Sequence, residues 1–113
     1  MSKFPMIAAA VVMSLGITST ALAADCTSNS CSGNLSLLYP SPSSNLVYVQ
    51  PSGSTSALQC TTVNSKYVTM KLDTEVKRGT WQLLLAAFLA GKSVLMKLNT
   101  TGTCEIQYIT VAP

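Results

Sequence analysis

Four cysteines, Cys26, Cys31, Cys60 and Cys104, follow an apolar leader in a chain of 113 residues. Together the leader and the cysteines narrow the range of possible folds more than any other feature. Lys3 supplies a positive start, and Met6 to Ile17 is an apolar run broken only by Ser14 and Gly16. Ala21-Leu22-Ala23 then has the small-x-small form that signal peptidase reads. The expected division is a signal peptide over residues 1–23 and a single domain over residues 24–113. The apolar run is shorter than the ~20 residues of a spanning helix, so the mature form should carry no membrane span. Lipid attachment is also disfavoured, because Asp25 stands between Ala24 and Cys26. The expected location is secreted or periplasmic.

An even cysteine count in an exported chain reads as two disulfides. The expected pairing is Cys26 with Cys31 and Cys60 with Cys104, although sequence alone leaves two other connectivities open. Zinc sites need close cysteine pairs or histidines; Cys60 and Cys104 are isolated and the chain has no histidine, so no metal and no cofactor is expected. Stapling matters at this size. A domain of about 90 residues buries only about two-thirds of the surface of its unfolded chain. On the loop-entropy relation the long bridge contributes ~4 kcal/mol and the short one ~2 kcal/mol.

Removing Lys3 with the leader leaves six of the seven basic residues against four acids, a net charge of +2. Nucleic-acid binders draw most of their affinity from dense basic stripes, and Lys77-Arg78 is the only adjacent pair, so no nucleic-acid partner is expected.

Alternation along the chain predicts five short strands. Leu35, Leu37 and Tyr39 alternate in the first, over residues 34–39, after a loop from Cys26 to Gly33. Leu46-Val47-Tyr48-Val49-Gln50 is β-branched and aromatic and reads as the second. Residues 66–72 form the third, with Val68, Met70 and Leu72 on one side and Tyr67, Thr69 and Lys71 on the other. Residues 93–98 and 104–111 complete the set. Between the third and fourth, Asp73 to Gly79 reads as a polar connection and Thr80 as the cap of a helix from Trp81 to Ala90, with Gly91 at its left-handed end. The predicted fold is mainly β with one helix, in the order β-β-β-α-β-β. That is the order of a five-stranded OB-like barrel, here braced by disulfides.

The helix is apolar almost all round. Trp81, Leu84, Leu85 and Phe88 form one stripe, and Leu83, Ala86, Ala87 and Ala90 occupy the remainder. Such a helix is usually buried on more than one side. One reading of Leu83, Ala86, Ala87 and Ala90 is a subunit interface in a homo-oligomer; the other is a solvent face of good helix formers.

Catalytic chemistry finds no foothold in the sequence. Without histidine there is no Ser-His or Cys-His pair, and Asp73 and Glu75 lie where acids favour a helix N-terminus. Gly91-Lys92-Ser93 follows a helix where a phosphate loop would open one. No catalytic residue and no enzymatic activity is expected. Asn34-Leu35-Ser36 and Asn99-Thr100-Thr101 fit the N-glycosylation pattern. Tyr39, Tyr48 and Tyr67 are the candidate ligand-binding residues: a tyrosine offers a flat face to a sugar ring and a hydroxyl to its oxygens. The plainer reading is that they are strand formers packing across the barrel.

Tyr67-Val68-Thr69-Met70, Trp81-Gln82-Leu83-Leu84-Leu85-Ala86-Ala87 and Gly91-Lys92-Ser93-Val94 follow one another as strand, helix, turn and strand. Over about half of the mature chain this resembles small exported bacterial proteins related to the B subunits of subtilase-cytotoxin and pertussis-like toxins. The resemblance implies an OB-like subunit that assembles into a ring and binds glycans, with a bridge at the positions of Cys60 and Cys104. The expected function is a non-enzymatic exported binding domain for a glycan. The alternative is a stand-alone structural or inhibitory domain that binds another exported protein.

Overall fold

The structure is a computed structural model that describes residues 25–111. The expected signal peptide, residues 1–23, lies outside the described residues. Six strands and one helix follow in the order β1 (Ser30–Gly33), β2 (Leu35–Ser41), β3 (Leu46–Pro51), β4 (Val68–Lys71), α1 (Glu75–Leu89), β5 (Val94–Leu98) and β6 (Ile106–Val111). They form two three-stranded antiparallel sheets, β1-β5-β6 and β2-β3-β4. The protein is mainly β with one helix, as the alternation predicts.

Strand identity follows the residues that turn inward. Val47, Val49 and Pro51 of β3 are buried, as are Val94, Met96 and Leu98 of β5, each at a spacing of two. Val68 and Met70 of β4, Ile106 of β6, and Leu84 and Ala87 of α1 complete one core shared by both sheets. Full burial of a leucine such as Leu84 stabilises a fold by roughly 1.5–3 kcal/mol. Thr69, between the inward Val68 and Met70, is buried on the opposite side of β4, where its Oγ1 donates to the Cys104 carbonyl at 2.9 Å.

Both bridges form as expected, Cys26–Cys31 and Cys60–Cys104, and no cysteine is free among the described residues. Disulfides persist in oxidising compartments, and among the described residues no helix is long and apolar enough to cross a membrane. The two bridges are consistent with an extracytoplasmic location.

Three expectations are corrected. The segment before Gly33 is not all loop: Ser30–Gly33 is a strand, with Cys31 opposite Met96 of β5. Serine and glycine are poor strand formers, but the adjacent bridge and the edge of β5 override local preference. The helix begins six residues before the expected Trp81 start, at Glu75, and Thr74 is its cap, with Oγ1 accepting from the Lys77 amide at 3.1 Å. Thr80, the expected cap, lies inside the helix and donates back to the Val76 carbonyl.

The third correction concerns closure. The sheets are open, and no continuous barrel ladder joins them. They meet in two places. Asn34 alone separates β1 from β2, so the chain passes from one sheet to the other within a residue. At the other seam, Thr69 and Glu105 form a single parallel bridge, with the Thr69 amide donating to the Cys104 carbonyl at 3.0 Å. The ladder stops there because neighbouring groups are committed elsewhere. The Glu105 amide donates to Asn99 Oδ1 and the Cys104 amide to the Thr61 carbonyl.

The helix end matches its expected form. Gly91 has φ +66°, the Lys92 amide donates to the Ala87 carbonyl, and the Gly91 amide donates to the Phe88 carbonyl. These two bonds make a Schellman motif. Asn34 Nδ2 then donates to the Gly91 carbonyl at 2.8 Å, tying the sheet crossing to the helix end.

Candidate binding face

β3 alternates about its buried residues, so Leu46, Tyr48 and Gln50 lie on the face of the β2-β3-β4 sheet away from the core. Register places Tyr39 of β2 opposite Tyr48, and Thr69 of β4 opposite Tyr48 on its other side. Tyr67 precedes β4 by one residue, and its backbone pairs with Val63 in a tight turn. The sheet thereby brings together all three candidate tyrosines. Tyr39 and Tyr48 stack with ring centroids 4.9 Å apart and 23° between planes. Tyr67 stands edge-on to both, at 5.8 Å from Tyr39 and 6.0 Å from Tyr48.

Tyr39 is the most open of the three at 39% exposure, whereas Tyr48 and Tyr67 are half-buried. Desolvation by its neighbours, and then the nearby phenols of Tyr67 and Tyr48, raise the Tyr39 pKa above the ordinary tyrosine value. Its hydroxyl therefore remains a hydrogen-bond donor to higher pH than a free phenol. Lys66 Nζ sits 5.3 Å over the Tyr67 ring, within reach of a cation–π attraction. Farther along β4, Lys71 pairs with Glu105 at 3.6 Å. The arrangement offers apolar ring surface beside three phenolic hydroxyls, which suits a ligand having both C–H faces and hydroxyl groups.

Two members of this face escaped the sequence reading as site residues. Leu37 and Gln50 lie opposite each other in the β2–β3 register, next along the face from the Tyr39–Tyr48 pair. Counting by two from Tyr39 and Tyr48 would have found them. Tyr108, by contrast, belongs to β6 in the other sheet and is 53% exposed.

The residues expected at a subunit interface divide. Leu83, Ala86 and Ala90 are exposed, but Ala87 is 3% exposed and packs in the protein's own core, so it is not part of an outer face. The helix turns Leu84 and Ala87 inward, with Trp81, Leu85 and Phe88 half-buried beside them. The amides of both sequon asparagines are already engaged. Asn34 holds Gly91, and Asn99 donates to the Thr101 and Thr103 carbonyls while accepting from Glu105. Among the described residues no three His, Cys, Asp or Glu side chains gather where a metal ion could be held.

Compared with protein-family models, curated proteins and solved structures, the chain matches none.

Proposed function

We propose that the protein is an exported, non-enzymatic carbohydrate-binding domain of OB-like build. In this reading it resembles the B subunits of subtilase-cytotoxin and pertussis-like toxins and assembles as a ring. The observation that carries the reading is the convergence of Tyr39, Tyr48 and Tyr67 on one outer face. Tyrosines serving packing alone would turn inward, yet these lie on the side of the sheet opposite the buried Val47 and Val49. Three arrangements support the OB-like build: β1 and β2 continue as one bent strand through Asn34, α1 stands between β4 and β5, and Thr69 meets Glu105 in parallel where the sheets approach. Exposed Leu83, Ala86 and Ala90 are the helix surface through which a ring would pack.

The test is a glycan array probed with the mature, non-reduced protein and with Tyr39→Ala and Tyr48→Ala. Selective glycan retention, weakened about tenfold or more by either change, is expected, as for the loss of an aromatic contact at a binding centre. No retention, or retention indifferent to both changes, would overturn the sugar reading. Native mass measured on the same sample should show a closed ring; a monomer removes the ring and leaves the sugar face. A protein-binding domain is the second reading, favoured by Val76, Leu83 and Leu89, which are exposed at 79%, 46% and 75% along α1. Its mark would be a monomer silent on the array.

A further inference from the structure

The long connection between β3 and β4 walls an open groove of about 570 Å³. Ser54, Thr55, Ser56, Thr61, Thr62 and Ser65 line it with hydroxyls, and Leu58 adds an apolar patch. We infer that this groove is a second subsite for a neutral carbohydrate, so that the ligand is an oligosaccharide of at least two rings spanning the groove and the tyrosine face. The inference rests on the carbohydrate reading above and extends it.

The lining chooses the ligand class. None of the residues that line the groove is ionisable, and the adjacent Asp25 carboxylate is engaged by the Ser54 amide, so the lining offers a charged ligand no counter-charge. An apolar ligand would cover hydroxyls and leave them without partners. A neutral ring rich in hydroxyls, with one C–H face for Leu58, meets neither penalty. The volume falls within the range of about 300–1,000 Å³ usual for small-molecule sites. One wall is already set: Ser54 and Ser56 hydroxyls bond each other at 2.9 Å, and the Ser54 amide donates to Asp25 Oδ1 at 2.9 Å. The hydroxyl-bearing side chains of Thr55, Thr61, Thr62 and Ser65 line the rest of the groove, and in this reading they are the ones that meet the ligand.

One turn links groove and tyrosines. Val63 and Tyr67 exchange both backbone hydrogen bonds at 2.9 Å, so that Ser65, which lines the groove, is held two residues from Tyr67 in the aromatic cluster. At the tip, Asn64 and Ser65 have φ of +52° and +63°, two successive left-handed residues. Asparagine tolerates that region, but serine does so at a cost that glycine would avoid. Strain of this kind is held where the side chain has another use. The Ser65 hydroxyl at the groove is that use.

Amide spectra of the ¹⁵N-labelled mature protein, titrated with maltotriose, chitotriose and lacto-N-tetraose and with their parent monosaccharides, test this. At least one oligosaccharide should move amides of Thr55 to Ser65 and of Tyr48 and Tyr67 together, and bind more tightly than its monosaccharide. Ser65→Gly relieves the backbone strain, so it should melt no lower than the parent while weakening that oligosaccharide about fivefold, the loss of one hydrogen bond. Silence of the groove amides with every probe, or unchanged affinity in Ser65→Gly, overturns the second subsite. Shifts confined to Tyr48 and Tyr67 would do so while sparing the tyrosine reading. Shifts confined to the groove would refute the spanning ligand and the tyrosine reading together.

Discussion

Tyr39 shows how a single side chain reports on the face around it. Its phenol is held protonated above the ordinary range, first by desolvation and then by Tyr67 and Tyr48. A raised folded-state pKa means that the neutral form is favoured in the native protein. The stability this group contributes is fully present below the unfolded value of about 10 and is lost as pH rises through the folded value. Denaturant midpoints followed from about pH 9 to 11.5 should therefore fall, and Tyr39→Phe should flatten part of that fall. An identical slope in both proteins would mean that Tyr39 titrates as an isolated phenol. Tyr48 and Tyr67 were readable as strand residues from their β-branched neighbours Val47, Val49 and Val68, and Tyr39 from its alternation with Leu35 and Leu37. Their meeting was not readable, since it depends on the β2–β3 register set by the turn after Ser41 and on the Val63–Tyr67 turn that brings Tyr67 to the pair.

At the scale of elements, α1 shows what periodicity misses. Strands β3 and β5 were legible because Val47, Val49, Val94, Met96 and Leu98 alternate with half-buried neighbours. The helix start was not, because Lys77, Arg78 and Gly79 broke the apolar pattern and resembled a connection. In the fold Gly79 is helical, and a Cβ added there would meet nothing within 4 Å. Asp73 lies beside the cap, where Lys77 pairs with it at 3.2 Å and holds its carboxyl below the usual range, chiefly by a side-chain hydrogen bond. Local capping thus begins the helix before the apolar stripe does. Gly79→Ala should raise stability by about 0.5–1 kcal/mol, because it lowers unfolded-state entropy without a clash. Thr74→Ala should cost about 1 kcal/mol through loss of the cap, and Thr80→Ala clearly less. Chemical denaturation of the three variants decides the order. A larger loss at Thr80 would place the helix start where the apolar stripe begins.

For the whole molecule, the question is what holds two open sheets against one another. The shared core draws Val47, Val49, Val68 and Met70 from one sheet and Val94, Met96, Leu98 and Ile106 from the other, while the hydrogen-bonded seam at Thr69 is a single bridge. The Cys60–Cys104 bridge lies beside that seam, flanked by the Thr61–Thr103 contact, and both sulfur-bearing residues are buried. It therefore supplements a ladder that the Asn99 turn cuts short. The Cys26–Cys31 bridge lies within one end of the β1-β5-β6 sheet and spans five residues, against 44 for the other. Loop entropy assigns about 4 kcal/mol to the longer closure and about 2 kcal/mol to the shorter. Against a total of roughly 5–15 kcal/mol for a domain, the longer bridge is a large fraction. Cys60→Ala with Cys104→Ala should lower the denaturant midpoint about twice as far as Cys26→Ala with Cys31→Ala, and should weaken amide protection at Thr69 before it weakens the centre of β3. Equal losses would overturn the loop-entropy ranking, and protection retained at Thr69 would show that the apolar core holds the sheets together without the bridge.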